Sequence, residues 1–116
     1  IRSVYDGRYR YIVNLTPEAT FQNVETKSPL FKEWKSLAET DSHAKAMTTK
    51  YQHRPAIELY DVKNDPYCMK NLAEDAKQAS TISRLDKELK RWMKDCGDEG
   101  QPTEMRAFEH MPGKRK

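Results

Sequence analysis

Asp61 and Asp65 stand four residues apart around an Asn-Asp-Pro turn, and paired carboxylates are the residue type that can divide general acid and general base work. Asp65 directly precedes Pro66, where a short acidic side chain caps a turn by accepting backbone N–H groups. Asp61 closes an apolar run. Architecture is the better reading for both. The three histidines, His43, His53 and His110, fall in no Cys/His spacing that holds zinc, and solvated surface histidine is their default. The two cysteines, Cys68 and Cys96, sit in Tyr-Cys-Met and Asp-Cys-Gly with no CxxC spacing. Neither has a directly adjacent basic residue or histidine to lower its pKa and make it a nucleophile. Whether they pair is open from sequence. There is no Gly-rich phosphate loop and no GxSxG. No residue is therefore assigned as catalytic, cofactor-binding or metal-ligating.

Arg8-Tyr9-Arg10-Tyr11 mixes charge and aromatic rings as single-stranded nucleic-acid binders do. Alternation in a strand, however, puts arginine on one face and tyrosine on the other, so charge and stacking would not share a surface. A half-buried strand with tyrosine inward is the better reading, and no nucleic-acid partner is expected. Arg8 and Arg10 remain available to an acidic neighbour or an anionic ligand. The only one-signed run is Gly113-Lys114-Arg115-Lys116, read as a solvated terminus.

The elements that would position these groups belong to a thin-cored chain. Of 116 residues, 36% are hydrophobic and 34% charged, with a net charge of +3, against about 45–50% apolar and about 25% charged in an ordinary soluble domain. Such a composition suits a subdomain leaning on something else better than a robust free-standing unit. No apolar run reaches the roughly 18–20 residues that cross a bilayer, and no membrane partner is expected. The chain starts without Met, directly in strand-like sequence and without a signal peptide, so it reads as a fragment of a longer protein.

Residues 1–15 predict a hairpin around Asp6-Gly7, a two-residue turn in which Tyr5 faces Arg8 and Val4 faces Tyr9. One face then carries Arg2, Val4, Tyr9, Tyr11, Val13 and Leu15 and is the core face. Thr16-Pro17-Glu18 suggests a cap and one helical turn. Short helices are predicted over 29–40, with Leu30, Phe31, Trp34, Leu37 and Ala38 on one face, and over 42–52. Pro55 blocks any helix from upstream. Ile57–Val62 is a strand, stopped by Asn64-Asp65-Pro66. A long helix over 75–96 carries Ile82, Leu85, Leu89, Trp92, Met93 and Cys96 as a core-facing stripe and closes at Gly97. Residues 98–116 are expected to be an irregular polar tail, leaving 1–97 as the folded part. The sum is an α+β fold: a small antiparallel sheet packed by the long helix.

These pieces in order also carry a resemblance. Asp6-Gly7-Arg8-Tyr9-Arg10-Tyr11-Ile12, Arg54-Pro55, Glu58-Leu59-Tyr60-Asp61-Val62, Asn64-Asp65-Pro66, Asn71-Leu72-Ala73 and Trp92-Met93 together resemble the C-terminal part of the sulfatase family, in its N-sulfoglucosamine sulfohydrolase-like (heparan N-sulfatase) branch. The likeness runs to about Asp98. Ile57 replaces a second Glu common before Leu-Tyr-Asp, and Cys68 stands where many relatives carry an acidic or small residue. The resemblance implies a small antiparallel sheet with a long helix, docked on an upstream catalytic domain of the same protein and bordering its pocket for a sulfated saccharide. It implies calcium and a formylglycine matured from C/S-x-P-x-R in that parent enzyme. Neither Cys68 nor Cys96 begins such a motif, so the chain is expected to be a non-catalytic piece of a hydrolase, inactive alone. It also implies a periplasmic, extracellular or lysosomal setting. The alternative is a free-standing α+β interaction module that binds an anionic partner through Arg8, Arg10 and the basic tail.

Overall fold

The computed structural model describes residues 1–110. The basic run 113–116 lies outside the described residues. The fold is α+β, and the chain divides into two compact units: residues 1–16 with 56–116, and residues 17–55. This division by packing is distinct from the expected boundary after Gly97.

The first unit is built on a three-stranded antiparallel sheet in the order β1-β2-β3, formed by Arg2–Tyr5, Tyr9–Val13 and Ile57–Asp61. The hairpin register differs from expectation by two residues. Tyr5 faces Arg10 and Val4 faces Tyr11. The reason lies in Asp6. Its Oδ1 accepts from Arg8 N at 2.9 Å and Tyr9 N at 2.7 Å, and its own N–H donates to Tyr9 O at 3.2 Å. The loop thus closes around the carboxylate rather than as a two-residue turn, with Gly7 supplying the positive φ of +98°. A slip of two preserves which face each side chain points to. Arg2, Val4, Tyr9, Tyr11 and Val13 stay together as expected, and Tyr11 is fully buried.

Over that face lies α3, Ala79–Asp95, entered through a 3-10 turn at Ala76–Gln78 that Asp75 caps. Tyr11 and Leu59 from the sheet meet Leu85 and Leu89 from α3, with Val4, Tyr9, Val13, Leu72, Ile82 and Met93 around them. The expected six-residue stripe is corrected at two positions. Trp92 is 53% exposed and Cys96 is exposed. The buried line follows the i, i+4 ridge Leu85–Leu89–Met93, which drifts about 40° per step around the axis, so Trp92 ends up about 100° from Met93. The helix closes as expected at Gly97 (φ +70°), where Asp98 N donates to Met93 O at 2.8 Å and Gly97 N to Lys94 O at 3.1 Å.

The stretch expected to be irregular begins with structure. The helix α4, Gln101–Met105, is followed by a 3-10 turn at Ala107–His110. Arg2 ties this segment to the hairpin, pairing with Asp98 and with Glu104 Oε2 at 2.8 Å. Sequence reading placed Arg2 at a fraying end; two carboxylates distant in sequence satisfy it instead.

The second unit holds a 3-10 turn at Glu25–Lys27 and two helices, α1 (Pro29–Leu37) and α2 (Ser42–Gln52). Ser28 caps α1 by accepting from Phe31 N, and Asp41 caps α2 by accepting from Ala44 N at 2.6 Å. Pro17-Glu18 form a turn and no helix. The unit's core is aromatic: Tyr51 lies 5.8 Å from Phe21 and 5.4 Å from Phe31 between ring centroids, and Arg54 stacks over Phe21 at 4.1 Å. Of the expected α1 stripe only Phe31 is buried. Leu30, Trp34 and Leu37 are about half exposed, because the weakly apolar side of α2 offers Tyr51 to Phe31 and little else.

Candidate functional site

The turn after β3 gathers the residues that sequence reading weighed for chemistry, and it holds them in structural pairings. Arg8 donates Nη2 to Asp61 Oδ2 at 2.7 Å and Nε to both carboxylate oxygens at 3.2–3.3 Å. Asn64 Nδ2 adds a bond to Asp61 Oδ2 at 2.9 Å. The Arg8 guanidinium, then Asn64, holds the Asp61 carboxyl down at about 2, against its ordinary 3.8. A carboxylate so stabilised is a poor proton carrier near neutrality. Asp65 Oδ2 accepts from Lys70 N at 2.8 Å, the capping role anticipated for it. Between them the chain turns through Cys68 at φ +53°.

The next segment closes the outer edge of β3. Asn71 Oδ1 accepts from Leu59 N at 2.9 Å and from Ala73 N at 3.0 Å, while Asn71 Nδ2 donates to Ile57 O at 3.3 Å. Leu72 N donates to Leu59 O at 2.8 Å. Sequence reading noted Asn71-Leu72-Ala73 without giving Asn71 this role. The signal was present in an asparagine placed one turn beyond a strand, since its amide copies the donor–acceptor pair of a backbone.

A cleft of about 460 Å³ opens beside the sheet, lined by Tyr11, Ile57, Asp75, Ile82, Asp86 and Lys90 among others. Both Asp86 oxygens are engaged, one by Tyr11 Oη at 3.2 Å and the other by Lys90 Nζ at 2.7 Å. Burial first, and then the Asp86 charge, pushes the Tyr11 phenol up to about 12. That shift is opposite to what a tyrosine acting as a base would need.

The remaining candidates are not brought together. His43 lies in the first turn of α2 and His53 just past its end, about 15 Å apart at the rise of a helix. Cys68 and Cys96 form no disulfide with each other. No group of three or more His, Cys, Asp and Glu among the described residues is placed to hold a metal ion. Neither Cys68 nor Cys96 begins a C/S-x-P-x-R motif. Arg8 is committed to Asp61 and lies over the Tyr9 ring at 4.8 Å, whereas Arg10 sits over Tyr5 at 5.9 Å. The two arginines therefore do not present a common unneutralised surface. No helix among the described residues is long and apolar enough to cross a membrane.

No family model matches the chain. Among characterised proteins, an ulvan-active sulfatase from Formosa agariphila is 33% identical over 108 residues, covering 90% of this chain and 18% of that protein. A second ulvan-active sulfatase of the same organism is 32% identical over 97 residues, covering 84% of this chain and again 18% of the relative. These matches support a sulfatase C-terminal region. The chain spans about a fifth of the length of the sulfatases it matches, as a domain of a larger protein does. The pairings of Asp61, Asp65 and Asn71 hold together the turn and the outer edge of β3.

Proposed function

We propose that this chain is the C-terminal, non-catalytic subdomain of a sulfatase that hydrolyses sulfate esters or sulfamates of sugars. It packs on an upstream catalytic domain of the same protein and borders the substrate pocket. The observation that carries the reading is the asymmetry of the match: 90% of this chain against 18% of the relative. Its internal geometry agrees, because Asp61 and Asp65, the carboxylates weighed for acid–base work, are already committed to an arginine and a backbone amide. The nucleophile and the calcium of the parent enzyme belong to the upstream domain on this reading, and the protein acts outside the cytoplasm, in the periplasm or beyond the cell. Both relatives are named as ulvan-active, which makes ulvan the first substrate to try, ahead of the N-sulfoglucosamine substrates that the branch resemblance implies.

Two measurements test this. The reading frame upstream of Ile1 should encode a large domain with a C/S-x-P-x-R motif. Purified chain 1–116 should release no sulfate from aryl sulfates, ulvan or heparan fragments, while the full-length product does. Turnover by the pure chain, or an upstream frame without that motif, would sink the proposal.

A further inference from the structure

The face of α1 that carries Leu30, Trp34 and Leu37 is larger than its own unit covers. The three residues recur at i, i+4 and i+7, which confines them to one stripe about 60° wide along two turns. They are 53%, 49% and 53% exposed. Phe31, about 60–120° around the axis from the three, is the α1 side chain that its unit buries. Other exposed large apolar residues, such as Tyr67, Trp92 and Met105, stand on separate elements, and single exposed residues of that kind need no explanation. Three together on one well-capped helix mark an interaction surface.

We infer that this stripe is the seat of the preceding domain of the same polypeptide. The inference rests on the sulfatase reading above, and the occupant is chosen by length. More than four-fifths of each matched relative lies outside the matched region, so a protein of that build carries a large body of chain that an uncovered apolar face of this one can seat. The stripe is apolar and carries no charge, the composition of the buried centre of an interface. Trp34, flanked one helical turn to either side by Leu30 and Leu37, has the type and position of an anchor residue.

Hydroxyl-radical footprinting of the full-length protein tests this, reading oxidation of Trp34 by mass spectrometry against the same residue in urea. Coverage should slow Trp34 oxidation about tenfold or more; the roughly twofold slowing that half exposure alone gives would overturn the inference. Leu30→Asp with Leu37→Asp should restore fast oxidation of Trp34 and lower the Tm of the full-length protein. Both sites are half exposed, so local folding is retained, and unchanged Tm with unchanged oxidation overturns the assignment. Protection that grows with protein concentration would identify a second copy as the occupant and also overturn it. A full-length protein with an upstream sulfatase motif but an unprotected Trp34 removes this inference alone. The lack of any upstream domain removes the functional reading as well.

Discussion

Arg8 and Asp61 meet side-on, with Arg8 Nη2 2.7 Å from Asp61 Oδ2 and Nε bridging both oxygens, and this pair fastens the hairpin loop to the last residue of β3. Main-chain pairing continues past it, since Val62 N donates to Arg8 O at 2.9 Å.

Acid should loosen this junction. The Asp61 carboxyl is lowered to about 2 by Arg8 and Asn64, and that of Asp6 to about 2 by Arg84 and the Tyr9 N–H. A depressed folded pKa means that the unfolded chain takes up protons first as pH falls, so stability is present above about pH 4 and is lost toward pH 2. Circular dichroism across that window should show acid unfolding, and Asp61→Asn should flatten the slope. An identical acid profile for Asp61→Asn would remove Arg8–Asp61 as its cause.

Alkali should act through a different residue. Tyr11 is buried and its phenol lies at about 12, so the unfolded chain loses that proton first and stability falls as pH rises from about 10 to 12. Titration followed at the phenolate band should show the Tyr11 phenol ionising late, together with unfolding. Tyr11→Phe should abolish that late component.

Leu89 and Trp92 make a contrast within one helix. Leu89→Ala should cost about 2–5 kcal/mol, because it opens a cavity between α3 and the sheet. Trp92→Ala should cost less than about 1 kcal/mol, because that ring is half exposed. Urea denaturation of both variants checks the pair, and equal losses would contradict the buried ridge.

Asn71→Ala should cost about 1–3 kcal/mol, since it strips the buried Leu59 N–H of its acceptor. Asn71→Asp keeps an acceptor for Leu59 and Ala73 but loses the donor to Ile57 O, and should cost less. Chemical denaturation ranks the two, and the reverse order would show that the amide donor matters more.

Much of this was legible in the residues. Strand and helix periods, Pro55, the Ser28 and Asp41 caps and Gly97 at the end of α3 are local signals, and the three strands, α1, α2 and α3 stand where those signals put them, whereas the helical turn expected at Pro17-Glu18 is absent and α4 stands where an irregular tail was expected. The face assignment of the hairpin survived its register error because a slip of two keeps parity. What was not legible depended on neighbours distant in sequence. Arg2 with Asp98 and Glu104, Arg8 with Asp61, and Tyr11 with Asp86 are all pairs that only the fold creates. The exposure of Trp92, Leu30 and Trp34 could not be read from helical period, which says where a stripe lies but not how wide a surface covers it. The candidate carboxylates were read as architecture from their local setting, and their partners give that reading its physical reason.

The Asn71 amide has a consequence for how copies of this chain behave toward one another. An uncovered strand margin is a template on which a neighbouring molecule can lay its own backbone, the first step of sheet-to-sheet polymerisation. By occupying Leu59 N and Ile57 O, one side chain and the Leu72 N–H beside it blunt β3 as a growth point, at the expense of a few residues rather than a further strand. A chain with so small an apolar core spends little time safely hidden when it breathes, and a margin that stays plugged is what keeps such openings from becoming irreversible.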